Sequence, residues 1–209
     1  MNDRHRVFVS YYHDEDQYYR DWFERMFSDI HDIMVSESVE IGDIDDTRLS
    51  TERIFQIIRE NYLQDSTVTV VLIGARTWQR KFVDWEIGSS IRWTKASSRS
   101  GLLGILLPTY PKPSGLFGAL NNALGTPYND IKTIYCNGRS VYYDYKTIPP
   151  RLHDNIECGY AKIYNWSENP STVQSWIHDA FQQRRSTEIL PDNSRDSFKN
   201  NRSGERWSK

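Results

Sequence analysis

The chain has 209 residues, which is enough for one domain with a sizeable core and cramped for two. Hydrophobic residues make up 38% of it and aromatic residues 13%, so the composition excludes a fully disordered chain. Lys and Arg number 26 against 28 Asp and Glu, and a net charge of −2 argues against a dedicated nucleic-acid binder.

The cysteines and the apolar runs exclude further classes. Cys136 and Cys158 make no disulfide framework, and no Cys or His spacing is typical of a metal site, so we expect no metal. The first six residues are polar, and no apolar run approaches the roughly 18 to 20 residues of a membrane helix. We therefore expect a cytoplasmic chain without a signal peptide or a membrane partner.

The first part of the chain alternates between strand and helix patterns. Arg6–Tyr11 is β-branched and aromatic, which predicts a strand, and apolar residues then recur at helical spacing to near Asp29. The acids at 14–16 suit the N-terminus of that helix. Asp32–Ser36 is predicted as a second strand, and Glu37–Arg48 as an acidic loop.

The alternation continues to Pro108. Ser50 or Thr51 can cap a second helix, and Thr67–Ile73 is nearly all β-branched, as in a strand buried on both faces. A third helix is predicted from about Arg80 to Lys95, and a fourth strand over Leu102–Leu107.

The later elements are separated by loops. Asn137-Gly138 between two strand patterns (131–135 and 140–145) predicts a hairpin, and Ala161–Tyr164 is a candidate strand. Asn169-Pro170 marks the start of a final helix with a well-spaced apolar stripe. We therefore divide the chain into a domain over 1–181 and a polar tail over 182–209, either flexible or crossing the domain.

Strand–helix alternation predicts an α/β fold with a central, mainly parallel sheet, helices on both faces and a C-terminal helix. In such sheets ligands bind beyond the carboxyl ends of the strands. The sequence lacks the glycine-rich dinucleotide fingerprint, the P-loop and the serine elbow that other enzymes carry there. One carboxylate does stand in this region: Glu86 lies among apolar residues in the third helix, and either serves in a cleft or pairs with Arg80 or Arg92.

Several segments of the sequence resemble one protein family. Thr67–Gly74, Thr77, Trp78 and Phe82–Glu86 resemble the TIR-like family of bacterial antiphage ThsB proteins from the Thoeris defence system. The opening Val7–Tyr11 is similar to the first strand of that family, and the likeness extends over roughly residues 6 to 181.

The resemblance implies a flavodoxin-like TIR fold and an enzyme that cleaves NAD and makes a cyclic ADP-ribose signal. That nucleotide would activate a partner effector, so NAD is a substrate and no bound cofactor is implied. The catalytic glutamate of the family falls at Glu86. The remaining positions implied to bind substrate are Phe8, Ser10, Tyr11, Asp46, Thr77 and Trp78. Self-association is an expectation from the resemblance alone.

A single carboxylate is sufficient for the chemistry of NAD cleavage. Nicotinamide in NAD is a cationic leaving group, so the usual pair of glycosidase carboxylates is not obligatory. Two alternatives stay open at this point: a nucleoside deoxyribosyltransferase-like enzyme, which would use a glutamate at the anomeric carbon, and a non-catalytic TIR interaction module.

Overall fold

A computed structural model describes residues 5–28, 33–36, 48–93, 98–113, 130–136 and 138–208. Within these ranges the chain forms seven strands and five α-helices. The strands are β1 (His5–Ser10), β2 (Ile33–Ser36), β3 (Val68–Ile73), β4 (Gly101–Leu106), β5 (Ile131–Cys136), β6 (Arg139–Asp144) and β7 (Ala161–Asn165). The helices are α1 (His13–Phe27), α2 (Thr51–Asn61), α3 (Lys81–Ser90), α4 (Pro150–Glu157) and α5 (Pro170–Gln183). Short 3-10 turns, Thr77–Gln79 and Tyr145–Thr147, precede α3 and α4.

Five strands form a parallel sheet in the order β2-β1-β3-β4-β7, which confirms the predicted α/β, flavodoxin-like class. β5 and β6 pair as a separate antiparallel hairpin, as the sequence predicted. Gly138 in its turn has a φ of +76°, a conformation that glycine adopts without steric cost. Asn137, the other residue of the predicted turn, lies outside the described residues.

The alternation of side chains along β1 and β3 fills both faces of the sheet. Val7 and Val9 pack on one face with residues of α1 and α5, whereas Phe8 packs on the other with residues of α2 and with Trp85 of α3. All six residues of β3 are buried, which confirms the prediction of a strand covered on both faces. Helices therefore cover both faces of the sheet, and the hydrophobic core lies between the sheet and these helices.

The observed helix ends agree with the prediction at the start of α2 and differ from it at the end of α3. The N-cap of α2 is Ser50, whose hydroxyl accepts from the Arg53 N–H. α3 ends at Ser90, short of the predicted Lys95, which lies outside the described residues. The buried Arg59 guanidinium donates to the carbonyls of Ser89 and Ser90, and thus binds groups that would otherwise accept from a further helical turn.

Parts of the predicted loops are not described. Residues 37–47, which make up most of the expected acidic loop, and residues 114–129 lie outside the described ranges. Among the helices that are described, none combines the length and the apolar character needed to cross a bilayer.

The contact between β4 and α5 generates a stability prediction. A Cβ built on Gly101 would lie 2.0 Å from the backbone carbonyl oxygen of Ala180, so no side chain fits unless the helix moves. We expect Gly101→Ala to lower the free energy of unfolding by about 3 kcal/mol, the upper end for overpacking, in urea denaturation. Gly138→Ala is the control, because it has open space around its Cβ and should cost only about 1 kcal/mol through its positive φ. Equal losses in the two variants would contradict the close contact.

Candidate functional site

The carboxyl end of β1 meets helix α3 at a buried pair of polar side chains. The Ser10 hydroxyl donates to Oε2 of Glu86 over 2.5 Å. Ser10 is fully buried and Glu86 is 1% exposed. A carboxylate in such surroundings is held in one orientation by its hydrogen bond, and its charge acts through a medium less screening than water. The structure thus brings together two of the residues that sequence reasoning singled out.

The geometry of β1 explains this meeting. Because side chains alternate along a strand, Phe8 and Ser10 point to the same face of the sheet. That face carries α2 and α3, and Phe8 packs there with Ile54, Phe55 and Trp85. Phe8 is fully buried in this cluster, so in the observed conformation it supports the site from within the core.

Tyr11 lies on the opposite side of the sheet from Phe8. It belongs to the cluster formed with α1 and α5, and its hydroxyl donates to Oε1 of Gln17 over 2.6 Å. Its ring stacks on His13 with centroids 4.2 Å apart. Of the three β1 residues expected at the substrate, the structure therefore groups Phe8 and Ser10 with α3 and gives Tyr11 contacts within α1.

Thr77 contacts a carboxylate that sequence reasoning assigned only to a helix N-terminus. Its hydroxyl accepts from the Gly74 N–H at 2.8 Å and donates to Oδ2 of Asp16 at 3.2 Å. Thr109, beyond the end of β4, donates to the other oxygen of Asp16. These contacts join the carboxyl ends of β3 and β4 to helix α1.

Asp16 is buried without an ion pair in the described part of the chain. It is 0% exposed, and burial raises the pKa of its carboxyl group, an effect that the hydrogen bonds from Thr77 and Thr109 partly offset. A Cβ on Gly74 would lie 2.3 Å from Oδ1 of Asp16, so glycine is required where β3 ends. The sequence carries no signal that joins this acid to Thr77 and Thr109, because an acid in the first turn of a helix is ordinarily explained by the helix dipole.

The remaining predicted residues are placed as follows. Trp78 is 2% exposed in the 3-10 turn that leads into α3. Asp46, expected to contribute polar contacts from the loop after β2, lies outside the described residues. Tyr12, another aromatic residue at the end of β1, has the Arg80 guanidinium 3.7 Å from its ring centroid, a cation–π contact at the start of α3.

Helix α3 is also held from outside by a buried ion pair. Asp84, two residues before Glu86, is 2% exposed and accepts two hydrogen bonds from the guanidinium of Arg151 in α4, at 3.0 and 3.3 Å. The Phe198 N–H donates to the same carboxylate at 3.0 Å. Arg151 is 1% exposed and also donates to Oδ1 of Asn193. The charges are paired and their donors used, as burial requires.

Residues 184–208, which we call the C-terminal segment, run along the whole of α3. The Asn193 amide donates to the carbonyl of Gly88 near the end of the helix, and the indole of Trp85 donates to the carbonyl of Phe198. At the start of the helix the Lys81 N–H donates to the side chain of Asn201. The helix that carries Glu86 is therefore fixed on its outer side by this segment.

The segment differs from a loose tail. Phe198 and Trp207 are 6% and 3% exposed, and Arg206 pairs with Asp130 and Asp144. The sequence left two alternatives for this part of the chain, a flexible tail and a segment that crosses the domain. The observed contacts match the second. Its anchors are mostly backbone groups and polar side chains, which leave no apolar period in the sequence.

Among the residues that the structure describes, no group of three or more His, Cys, Asp or Glu side chains has the arrangement to hold an ion. The site consists of a carboxylate on α3 and a hydroxyl at the end of β1, which can orient and electrostatically stabilise a polar substrate.

Comparison with known proteins places this chain in a family. The model of the family described as "Thoeris protein ThsB, TIR-like domain" matches residues 8–112, which is just over half of the chain and spans Ser10, Thr77 and Glu86. No curated protein matches the chain. The extent of the match shows that the chain is a member of this family, as the sequence resemblance indicated.

The burial of Asp16 predicts a pH-dependent effect on stability. Its raised pKa means that the carboxylate ionises more readily in the unfolded chain, so its contribution to stability is complete below 3.8 and is lost as the pH rises through the higher folded value. Asp16→Asn removes the ionisation and keeps an acceptor for Thr77. We expect the melting temperature of this variant to exceed that of the wild type by a margin that grows from about pH 4 to pH 7.

Differential scanning fluorimetry across that range measures the margin. Asp65→Asn is the control, because the Asp65 side chain is 68% exposed. A margin for Asp16→Asn that shrinks with pH would contradict the assignment.

The Asp84–Arg151 pair predicts a large effect on stability. Arg151→Ala leaves the Asp84 carboxylate buried without its charge partner, and we expect the free energy of unfolding to fall by about 3–5 kcal/mol. Arg195→Ala is the matched control. It breaks the Arg195–Asp154 pair, whose side chains are 23% and 21% exposed, and should cost on the order of 1 kcal/mol. Urea denaturation measures the loss of unfolding free energy in both variants. Equal losses would contradict the prediction that the buried ion pair contributes more than the partly exposed one.

Proposed function

We propose that this chain, which belongs to the TIR-like domain family of Thoeris ThsB proteins, cleaves NAD at the nicotinamide–ribose bond during antiphage defence. The observation that carries the proposal is the buried Glu86 carboxylate, held by Ser10 beyond the carboxyl end of β1. This edge of a parallel sheet is where α/β folds bind ligands. The product would be a cyclic ADP-ribose that activates a separate effector protein.

The reaction breaks the bond between C1′ of the ribose and the pyridinium nitrogen. The bonding electrons leave with the nitrogen, which becomes neutral nicotinamide, and positive charge develops on the ribose as an oxocarbenium-like transition state. Because the leaving group starts as a cation, it needs no proton from a general acid. A single carboxylate is therefore sufficient for the step.

Glu86 would accept hydrogen bonds from the ribose hydroxyls and stabilise the developing positive charge. Burial makes this interaction stronger than it would be in water. The Ser10 hydroxyl fixes the carboxylate before substrate arrives, so little reorganisation is needed during the reaction. The sequence assigns Trp78 to the substrate's flat rings; its indole is 2% exposed, so this contact requires a movement that uncovers it.

The fate of the ribose cation decides the product. Attack by a nucleophile of the same molecule gives a cyclic ADP-ribose and returns one proton to solvent, whereas attack by water gives linear ADP-ribose. A cyclic product therefore requires that water be kept from the reacting carbon. Self-association is a further part of this proposal, because a second copy could complete such a closure.

Substitution of the glutamate tests the proposal directly. Glu86→Gln keeps the volume and the hydrogen bond from Ser10 but removes the charge, and we expect nicotinamide release to fall at least 1,000-fold. Ser10→Ala retains the charge of Glu86 and removes only the hydrogen bond that orients its carboxylate. We therefore expect a smaller loss of nicotinamide release, about tenfold. Mass spectrometry of nicotinamide and ADP-ribose products, in phage-infected cells that carry each variant, measures both effects.

The control and the alternative substrates separate the competing functions. Glu52→Gln changes an exposed glutamate that pairs with Arg92 and should leave activity intact. NAD consumption that is unchanged in folded Glu86→Gln would overturn the proposal. Turnover of free deoxynucleosides without NAD cleavage would favour a deoxyribosyltransferase, and the absence of any nucleotide product alongside a stable protein complex would favour an interaction module.

A further inference from the structure

A pocket opens at the carboxyl end of β7, away from Glu86. It has a volume of about 570 Å³, within the range of small-molecule sites. In the sheet, β7 lies three strands from β1, and at about 4.8 Å per strand this puts the two strand ends on the order of 14 Å apart. Among the described residues, none of those that line this pocket belongs to the proposed NAD site.

The charge in the pocket favours an anion. Arg139 of β6 lines it with an exposed guanidinium, for which the described residues provide no hydrogen bond or ion pair. Among the described residues that line the pocket there is no Asp or Glu. The first turn of α5, with Ser171 and Thr172, borders the same space and adds the positive end of a 14-residue helix.

The other side of the pocket is aromatic. Trp166 is half-buried and stands edge-on to Tyr19, with ring centroids 5.4 Å apart. Tyr164 and Trp176 stack on one another at 4.2 Å and form an apolar wall with Val141. Nucleobases stack on aromatic side chains, and Trp166 is the partly exposed indole of this wall.

The rim between these two sides is polar. Three side chains there carry hydroxyl or amide groups suited to a sugar, namely Asn165, Ser167 and Ser175. A cation, a flat aromatic wall and a sugar-binding rim correspond in turn to the phosphate, the base and the ribose of a nucleotide.

We propose that this pocket binds a nucleoside monophosphate or a similarly phosphorylated nucleotide, with its phosphate on Arg139 and its base against Trp166. The site goes beyond the proposed NAD cleavage and does not depend on it, because the residues differ. Its ligand would lie on the same edge of the sheet as Ser10, at a distance on the order of 14 Å from the end of β1.

Isothermal titration calorimetry with AMP tests the site. We expect AMP to bind to the wild type and to Glu86→Gln with the same Kd. Arg139→Ala should weaken binding about tenfold or more, because it removes a charge-assisted hydrogen bond to phosphate. Trp166→Ala should weaken it by a similar factor through lost stacking. Arg53→Ala, an exposed arginine on α2, is the matched control and should leave Kd unchanged.

The comparison ligands define the outcomes. Adenosine should bind at least tenfold more weakly than AMP, and equal affinities would overturn the anion-binding role of Arg139. The absence of AMP binding at millimolar concentration would overturn the site. Binding that is lost in Glu86→Gln but kept in Arg139→Ala would also overturn it, by assigning the nucleotide to the NAD site.

Discussion

The buried ion pair between Asp84 and Arg151 is the interaction on which the candidate site depends. Both side chains are almost fully removed from water, which is costly unless each charge finds its partner and its remaining hydrogen bonds. α4 supplies the arginine, α3 supplies the aspartate, and the C-terminal segment supplies an N–H from Phe198 and an amide from Asn193. Three parts of the chain that are distant in sequence are thus fixed relative to one another, two residues from Glu86.

This arrangement explains why α3 differs from a surface helix. Eight of its ten residues are buried, including polar Asp84, Glu86, Ser89 and Ser90. A helix that is buried all round needs cover on each side. The sheet and α2 cover its inner sides, and the C-terminal segment covers the outer one through contacts at Trp85, Lys81 and Gly88. A polar residue on such a helix is shielded from solvent, which gives the carboxylate of Glu86 its electrostatic strength.

The fold was largely predictable because its signals are local. Runs of β-branched residues predicted the strands, Ser50 and Asn169 predicted the starts of two helices, and the Asn-Gly pair predicted the hairpin. The pairing of Ser10 with Glu86 was within reach as well, because strand ends and the family resemblance pointed to both residues. The role of Asp16 was not, since an acid near a helix N-terminus is ordinarily explained by the dipole. Only the fold shows that Thr77 and Thr109 converge on it.

The C-terminal segment shows the limit of reasoning from hydrophobic patterns. Burial by an amphipathic helix leaves a period in the sequence, but burial by an extended segment needs only a few anchors and many backbone hydrogen bonds. Here the buried apolar anchors are Phe198 and Trp207, separated by nine positions, and Arg206 adds two ion pairs. Because the segment holds α3 in place and α3 holds Glu86 against Ser10, residues without a recognisable pattern determine the geometry at the centre of the site. Substitutions in the C-terminal segment should therefore act on the carboxylate through the position of its helix, at a distance from any bound substrate.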